Sequence, residues 1–237
     1  FAATLSAALD ARPDLAMSNV MGSMAANLAF LGVADMVYRK ANLEHAAAES
    51  STLMLAALLI VLLVLPLLAV TTPATTVWGL HPLSPVIVAA YLFGLHLVMR
   101  SQKRPMWFPR RTRQTVPDKP VRHRGGSLPQ AWLKFSLLAA VTGGAGWVLM
   151  EAAKGIIAHT GLSETLVGGL FTAVVTSSPE LVTTIAAVRA GALTLAVSNI
   201  FGTNCFNMLV VAAADAGYPH GSIYHDMDPF QMTWGLV

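Results

Sequence analysis

TSSPE, residues 176–180, interrupts an apolar run: LVGGLFTAVV (166–175) precedes it, and LVTTIAAV (181–188) follows before the first cation, Arg189. A soluble helix hides a carboxylate by turning it to water, whereas a charge held in the middle of a membrane span costs at least about 2.5 to 3.5 kcal/mol and marks a functional site by default. Whether this run is a span therefore decides the fold.

Composition says that it is. The 237 residues are 55% hydrophobic and only 11% charged, against about 25% charged in soluble domains. No Asp, Glu, Lys or Arg occurs between Ser50 and Met99, a stretch that fits two spans of about 20 residues joined by the turn-rich TTPATT at 71–76. Charge-poor windows predict spans at 15–37, 52–70, 83–99, 132–158, 165–188 and 193–216. Residues 1–9 read as the tail of an earlier span and 230 onward as the start of a later one, so the chain is expected to be cut at both ends. The single cysteine, Cys205, excludes an internal disulfide. The fold class is all-α, a multi-pass membrane protein embedded in the lipid bilayer.

The net charge of +3 conceals an uneven distribution, because ten of the 15 Lys and Arg lie between residues 100 and 134. Lys/Arg excess marks cytoplasmic loops, which places residues 100–131 inside as a basic loop rather than a nucleic-acid site. The domain reading is then an N-terminal half at 1–99, that loop, and a C-terminal half at 132–237. Counting outward puts Arg39, Lys40 and Arg189 inside as well, and leaves 71–82 and 217–229 free of Lys and Arg on the outside.

An internal repeat connects the halves. A gapless shift of 180 residues pairs Ser18-Asn19 with Ser198-Asn199, Gly22 with Gly202, Asn27 with Asn207, Asp35 with Asp215 and Tyr38 with Tyr218. Apolar spans share Leu and Ala by chance, but not two Asn, a Gly, an Asp and a Tyr in one register. The copies lie an odd number of crossings apart, so the repeat is inverted, an arrangement many secondary transporters use around a midplane site. The same shift takes Glu180 to the position just before Phe1, where an acidic residue preceded by Pro is expected.

In each copy polar residues recur every four positions: Asn19, Ser23, Asn27 and Asn199, Thr203, Asn207. Such steps stay near one helix face, and Ser18, Gly22 and Ala26 form a small-residue stripe suited to close packing beside the first face. Pro179 removes a backbone N–H and crowds the Val175 carbonyl, which is expected to turn carbonyls near 173–176 away from the helix ladder. Carbonyls, the Thr176 and Ser177 hydroxyls, the Glu180 carboxylate and facing Asn side chains make an all-oxygen set, suited to hard cations such as Ca²⁺ and Na⁺. No His or Cys cluster has zinc spacing, so softer metals are disfavoured. His81, His96 and His159 are expected at the interface near span ends, Asp35 and Asp215 as caps or pairing groups, and Glu151 with Lys154 as a structural pair. No P-loop, and no paired nucleophile and base within the spans, is present; neither a cofactor nor enzymatic chemistry is expected.

The residues then resemble the calcium/cation antiporter superfamily, which includes sodium/calcium exchangers. Its two repeats carry T-S-x-P-[ED] followed by G-N-x-x-G-[ST]-N-x-x-[ND]. Here the second repeat reads TSSPE and SNIFGTNCFN (198–207), and the first retains SNVMGSMAAN (18–27). The resemblance implies a ten-helix fold with alternating access. It implies Glu180 as calcium ligand; Thr176, Ser177, Ser23, Thr203 and the Ala173 carbonyl around sodium sites; and Asn27 and Asn207 lining the same centre. Ser18 and Ser198 stand where the family has Gly, Val175 where Gly precedes Thr-Ser, and Met24 where Asn follows Gly-Ser. Asn207 replaces the Asp that potassium-dependent relatives carry, which argues against a K⁺ requirement. The expected function is Ca²⁺ exchange against Na⁺ or H⁺, with a non-transporting cation sensor or scaffold of the same fold as the alternative. Oligomeric state is not legible.

Overall fold

The computed structural model describes residues 1–103, 112–116 and 127–228. Most of the basic segment and the further span anticipated from 230 lie outside the described residues. The helices are α1 (Ala2–Leu9), α2 (Pro13–Val37), α3 (Leu43–Ala46), α4 (Ser50–Thr71), α5 (Leu83–Lys103), α6 (Leu128–Thr160), α7 (Glu164–Leu166), α8 (Ala173–Ala190), α9 (Leu193–Gly217) and α10 (Ile223–Asp226). A π-helical turn, Val167–Thr172, joins α7 to α8. Six segments are long and apolar enough to cross a membrane, with 164–190 counted as one. Each matches a charge-poor window of the sequence to within a few residues.

Local chemistry sets the ends. Proline opens α2 at Pro13, where its missing N–H costs nothing, and Asp14 sits in the first turn against the helix dipole. Helix α8 closes on Gly191 at φ +77° and α6 on Gly161 at φ +71°, a left-handed conformation that glycine adopts without strain. The Asn42 side chain accepts from the backbone N–H of Glu44 and His45 to start α3.

The repeat survives in atomic detail. The boundaries of α2 and α9 differ by 180 residues at both ends, and so do those of α3 and α10. Asp35 Oδ1 accepts from Leu43 N at 2.6 Å, and its counterpart Asp215 Oδ1 accepts from Ile223 N at 3.1 Å. In each copy the carboxylate ties the long helix to the short one that follows. Asp215 goes further, accepting through Oδ2 from His81 N (2.9 Å) and Ser84 Oγ (2.6 Å).

His81, between the ends of α4 and α5 as expected, is only 2% exposed. Its Nδ1 accepts from Leu83 N, and Nε2 lies 3.3 Å from Thr72 Oγ1. Burial pushes its pKa below the usual value, against the opposing pull of Asp215. His96 and His159 are exposed. Lys154 pairs with Glu151 on its own helix, as anticipated, and also with Asp10 beyond α1.

The core forms where α2 meets α1, α9 and the π turn. Leu15, Ala16, Met17, Val20 and Met21 are buried against Ala3, Ala7 and Ala8 of α1 and Met208 and Val211 of α9. The small-residue stripe allows backbones to touch: a Cβ on Gly22 would sit 2.1 Å from the Gly169 carbonyl oxygen, and one on Gly168 would sit 2.0 Å from Ser18 Oγ. In contrast α6 exposes Trp132, Leu133, Phe135, Leu138 and Val148.

Candidate functional site

Four helices converge on a cavity of about 130 Å³ lined by α1 (Thr4), α2 (Asn19, Val20, Ser23, Asn27), α8 (Thr176, Ser177, Glu180) and α9 (Thr203, Phe206, Asn207, Val210), with Phe1 at its edge. Seven of the eight residues expected at the site from sequence line it together: Glu180, Thr176, Ser177, Asn207, Thr203, Asn27 and Ser23. Ala173 does not. It stands one turn behind Thr176, whose hydroxyl donates to the Ala173 carbonyl at 3.1 Å.

The helix ladder is irregular one turn earlier than Pro179 leads one to expect. The π turn spans Val167–Thr172, and α8 runs on through Pro179. Hydroxyls cover the carbonyls near that break: Thr172 Oγ1 donates to Gly168 O at 2.9 Å and Ser178 Oγ to Val174 O at 2.8 Å.

Hydroxyls and amides knit α2 to α8. Ser23 Oγ lies 3.2 Å from Thr176 Oγ1, and Ser177 Oγ donates to the Ser23 carbonyl at 3.4 Å. At the neighbouring turn Asn19 Oδ1 lies 2.7 Å from Thr172 Oγ1, sharing that hydroxyl's single proton with Gly168 O, while Asn19 Nδ2 donates to Thr4 Oγ1 at 2.9 Å. Across the cavity Asn27 Nδ2 donates to Asn204 Oδ1 at 2.8 Å.

Against this well-paired background, three buried side-chain atoms among the described residues have no hydrogen-bond partner: Glu180 Oε2, Asn27 Oδ1 and Asn207 Nδ2. All three residues line the same cavity. A buried unpartnered polar atom costs on the order of 1 to 3 kcal/mol, and more if charged, so three around one small void mark a place built for something that supplies the missing contacts. Among the described residues no group of three or more His, Cys, Asp or Glu could hold a metal ion. The cavity offers one carboxylate amid neutral oxygens, a donor set for hard cations. Thr176 and Phe1 also border a second, mostly apolar cleft of about 1080 Å³ between α6 and the α1–α8 face.

Sequence reasoning missed Asn204, which is wholly buried and bridges α9 to α2. It also missed Thr4, although the 180-residue shift pairs Thr4 with Thr184 and the structure repeats the contact: Asn199 Nδ2 reaches Thr184 Oγ1 at 3.5 Å as Asn19 reaches Thr4. Asn199 itself, the first member of the second stripe, lies outside the cavity wall.

Six helices long and apolar enough to cross a membrane, two of them related by the repeat, define a multi-pass membrane protein with a cation-suited cavity among its helices. The family model described as "Sodium/calcium exchanger protein" matches residues 1–101 and 130–235, and the chain belongs to that family, whose members are cation antiporters. The chain is 34% identical over 112 residues to "Inner membrane protein YrbG" of Escherichia coli (strain K12), covering 47% of this chain and 34% of that protein. It is 35% identical over 80 residues to "Putative antiporter CaxA" of Alkalimonas amylolytica, covering 34% of this chain and 24% of that protein. The matched segments thus make up only about a third or less of these relatives' lengths. No solved structure matches.

Proposed function

We propose that the full-length protein exchanges Ca²⁺ for Na⁺ or H⁺ by alternating access, with the α1–α2–α8–α9 cavity as one part of the ion site. The observation that carries this reading is the convergence of the unpartnered Glu180 Oε2 and Asn27 Oδ1 on a void already walled by the Ser23, Thr176, Ser177 and Thr203 hydroxyls. Calcium takes six to eight oxygens. Glu180 supplies the charge, Asn27 and Asn207 supply amide oxygens, and the Ser23, Thr176, Ser177 and Thr203 hydroxyls serve the monovalent ion.

Exchange follows from competition. One carboxylate-centred site accommodates Ca²⁺ or the counter-ions but not both, so release of one drives binding of the other, and the gradient supplies the free energy. The basic segment 100–131 is cytoplasmic in this reading.

The test is ⁴⁵Ca²⁺ uptake by vesicles holding the full-length protein, driven in parallel by an imposed Na⁺ gradient and an imposed pH gradient. Uptake under one gradient that Glu180→Gln reduces at least tenfold supports the proposal and identifies the counter-ion. Uptake that survives Glu180→Gln unchanged removes Glu180 from the site. A lack of uptake under either gradient favours a cation sensor or scaffold of the same fold.

A further inference from the structure

We infer that Asn204 is a positioning residue for the ion site, and that Met24 leaves the pseudo-symmetric half of the site without one; the inference rests on the cavity above being that site. An Asn amide presents an oxygen and an NH₂ group, and only the oxygen is of use to a cation. Asn204 Oδ1 takes the Nδ2 of Asn27 at 2.8 Å. With its donor committed, Asn27 is left with a buried, unpartnered Oδ1 at the cavity. Asn204 is itself held from behind, its Nδ2 donating to the Met24 carbonyl at 3.3 Å.

That last contact joins repeat-equivalent positions, since Met24 and Asn204 lie 180 residues apart, as do Asn27 and Asn207. In a two-fold arrangement a contact from one copy to the other is mirrored by its converse. The mirror of Asn204 holding Asn27 is residue 24 holding Asn207, and a methionine offers no acceptor comparable to an amide oxygen. The structure carries the expected mark of that loss, because Asn207 Nδ2 is buried without a partner. The site therefore has one amide held by its neighbour through Nδ2 and one, Asn207, whose Nδ2 no side chain holds.

Calcium transport by the full-length protein in proteoliposomes tests this through the KM for ⁴⁵Ca²⁺ and the maximal rate, measured separately. Losing an interhelical hydrogen bond of this kind raises KM roughly three- to tenfold. Asn204→Leu and Asn27→Ala are each expected to do so. Combined, they are expected to raise KM no more than the worse of the two, because Asn204 acts only through Asn27. Met24→Asn is expected to lower KM, and to have no such effect in an Asn207→Ala background. Effects of Asn204→Leu and Asn27→Ala that multiply, or a loss of maximal rate at unchanged KM, would overturn the positioning role and leave a structural one. A Met24→Asn protein with unchanged or raised KM overturns the asymmetry, and this arm decides even if Asn204→Leu does not fold. Glu180→Gln separates the two levels: if it transports like the parent protein, the site assignment fails and this inference with it. If it is inactive while the cycle is multiplicative, only the positioning role fails.

Discussion

Replacing Gly22 by alanine adds one methyl group where α2 meets the π turn backbone to backbone. The new Cβ would stand 2.1 Å from the Gly169 carbonyl oxygen and 2.7 Å from its carbonyl carbon and Cα. Non-bonded contacts relax only near 3.5 Å, so α2 and the π turn must part by more than about 1 Å. Neither obstructing group can rotate away, since both belong to backbone. Ser23, the next residue along, holds Thr176 at 3.2 Å and accepts Ser177 at 3.4 Å, and a displacement of that size breaks both bonds. Overpacking costs about 1 to 3 kcal/mol and each interhelical hydrogen bond about 0.6 kcal/mol. The sum, on the order of 2 to 4 kcal/mol, lowers the unfolding temperature by roughly 5 to 15 °C for a chain of this size. Heating the detergent-solubilised full-length protein with a thiol-reactive fluorophore reads this out, because Cys205 is buried. Gly32→Ala is the control, since a Cβ there meets nothing within 4 Å. A Gly22→Ala protein that unfolds with the parent and keeps its cation KM would refute the claim that backbone contact at this crossing sets the cavity.

Two further outcomes follow from the buried carboxylates and from His81. Asp215→Ala strands two buried backbone donors, His81 N and Ile223 N, and leaves Ser84 Oγ with the Tyr224 hydroxyl, at an expected cost on the order of 2 to 5 kcal/mol. Asp35→Ala, which strands the Leu43 N–H, costs about 1 to 2 kcal/mol, and equal melting shifts for the two would show that the extra donors carry no weight. His81 has a folded pKa below its ordinary value of 6.5 because burial opposes its charge, with His225 adding to that effect and Asp215 opposing it. The unfolded chain then binds more protons than the native one below about pH 6.5, so this contribution to stability is complete above that pH and declines as pH falls toward the lowered folded pKa. Unfolding temperatures between pH 5 and 8 are expected to show this slope and to lose it in His81→Gln; a slope that persists in the variant assigns it to other groups.

The spans were legible because membranes impose their pattern on every residue of a crossing. Charge-poor windows marked all six long helices to within a few residues, and the 180-residue register of the repeat reappears in the matched ends of α2 and α9. The site was legible in its charged and hydroxylic members for the same reason: a carboxylate, two amides and four hydroxyls in an apolar context need partners. What escaped were features that depend on the packing of α9 among neighbours on several sides. Asn204 falls off the four-residue stripe, and only the contact with Asn27 shows that it faces α2 rather than lipid. Steps of four also drift by about 40° per turn, so a stripe is a guide rather than a wall, as Asn199 demonstrates. The π turn at Val167–Thr172 has no single-residue signature, and reasoning from Pro179 placed the irregularity one turn too late.

The first copy's α2 packs most extensively against the second copy's α8, and α4 and α5 both lean on α9. Neither copy, in other words, owns a complete interior. Synthesised by itself, the earlier half would leave Ser23 and Asn27 without their partners Thr176 and Asn204, in a medium where amides and hydroxyls find nothing to bind. Each half is thus the other's solvent, and a ribosome that has finished α5 has produced something that must wait, shielded, until α8 and α9 arrive.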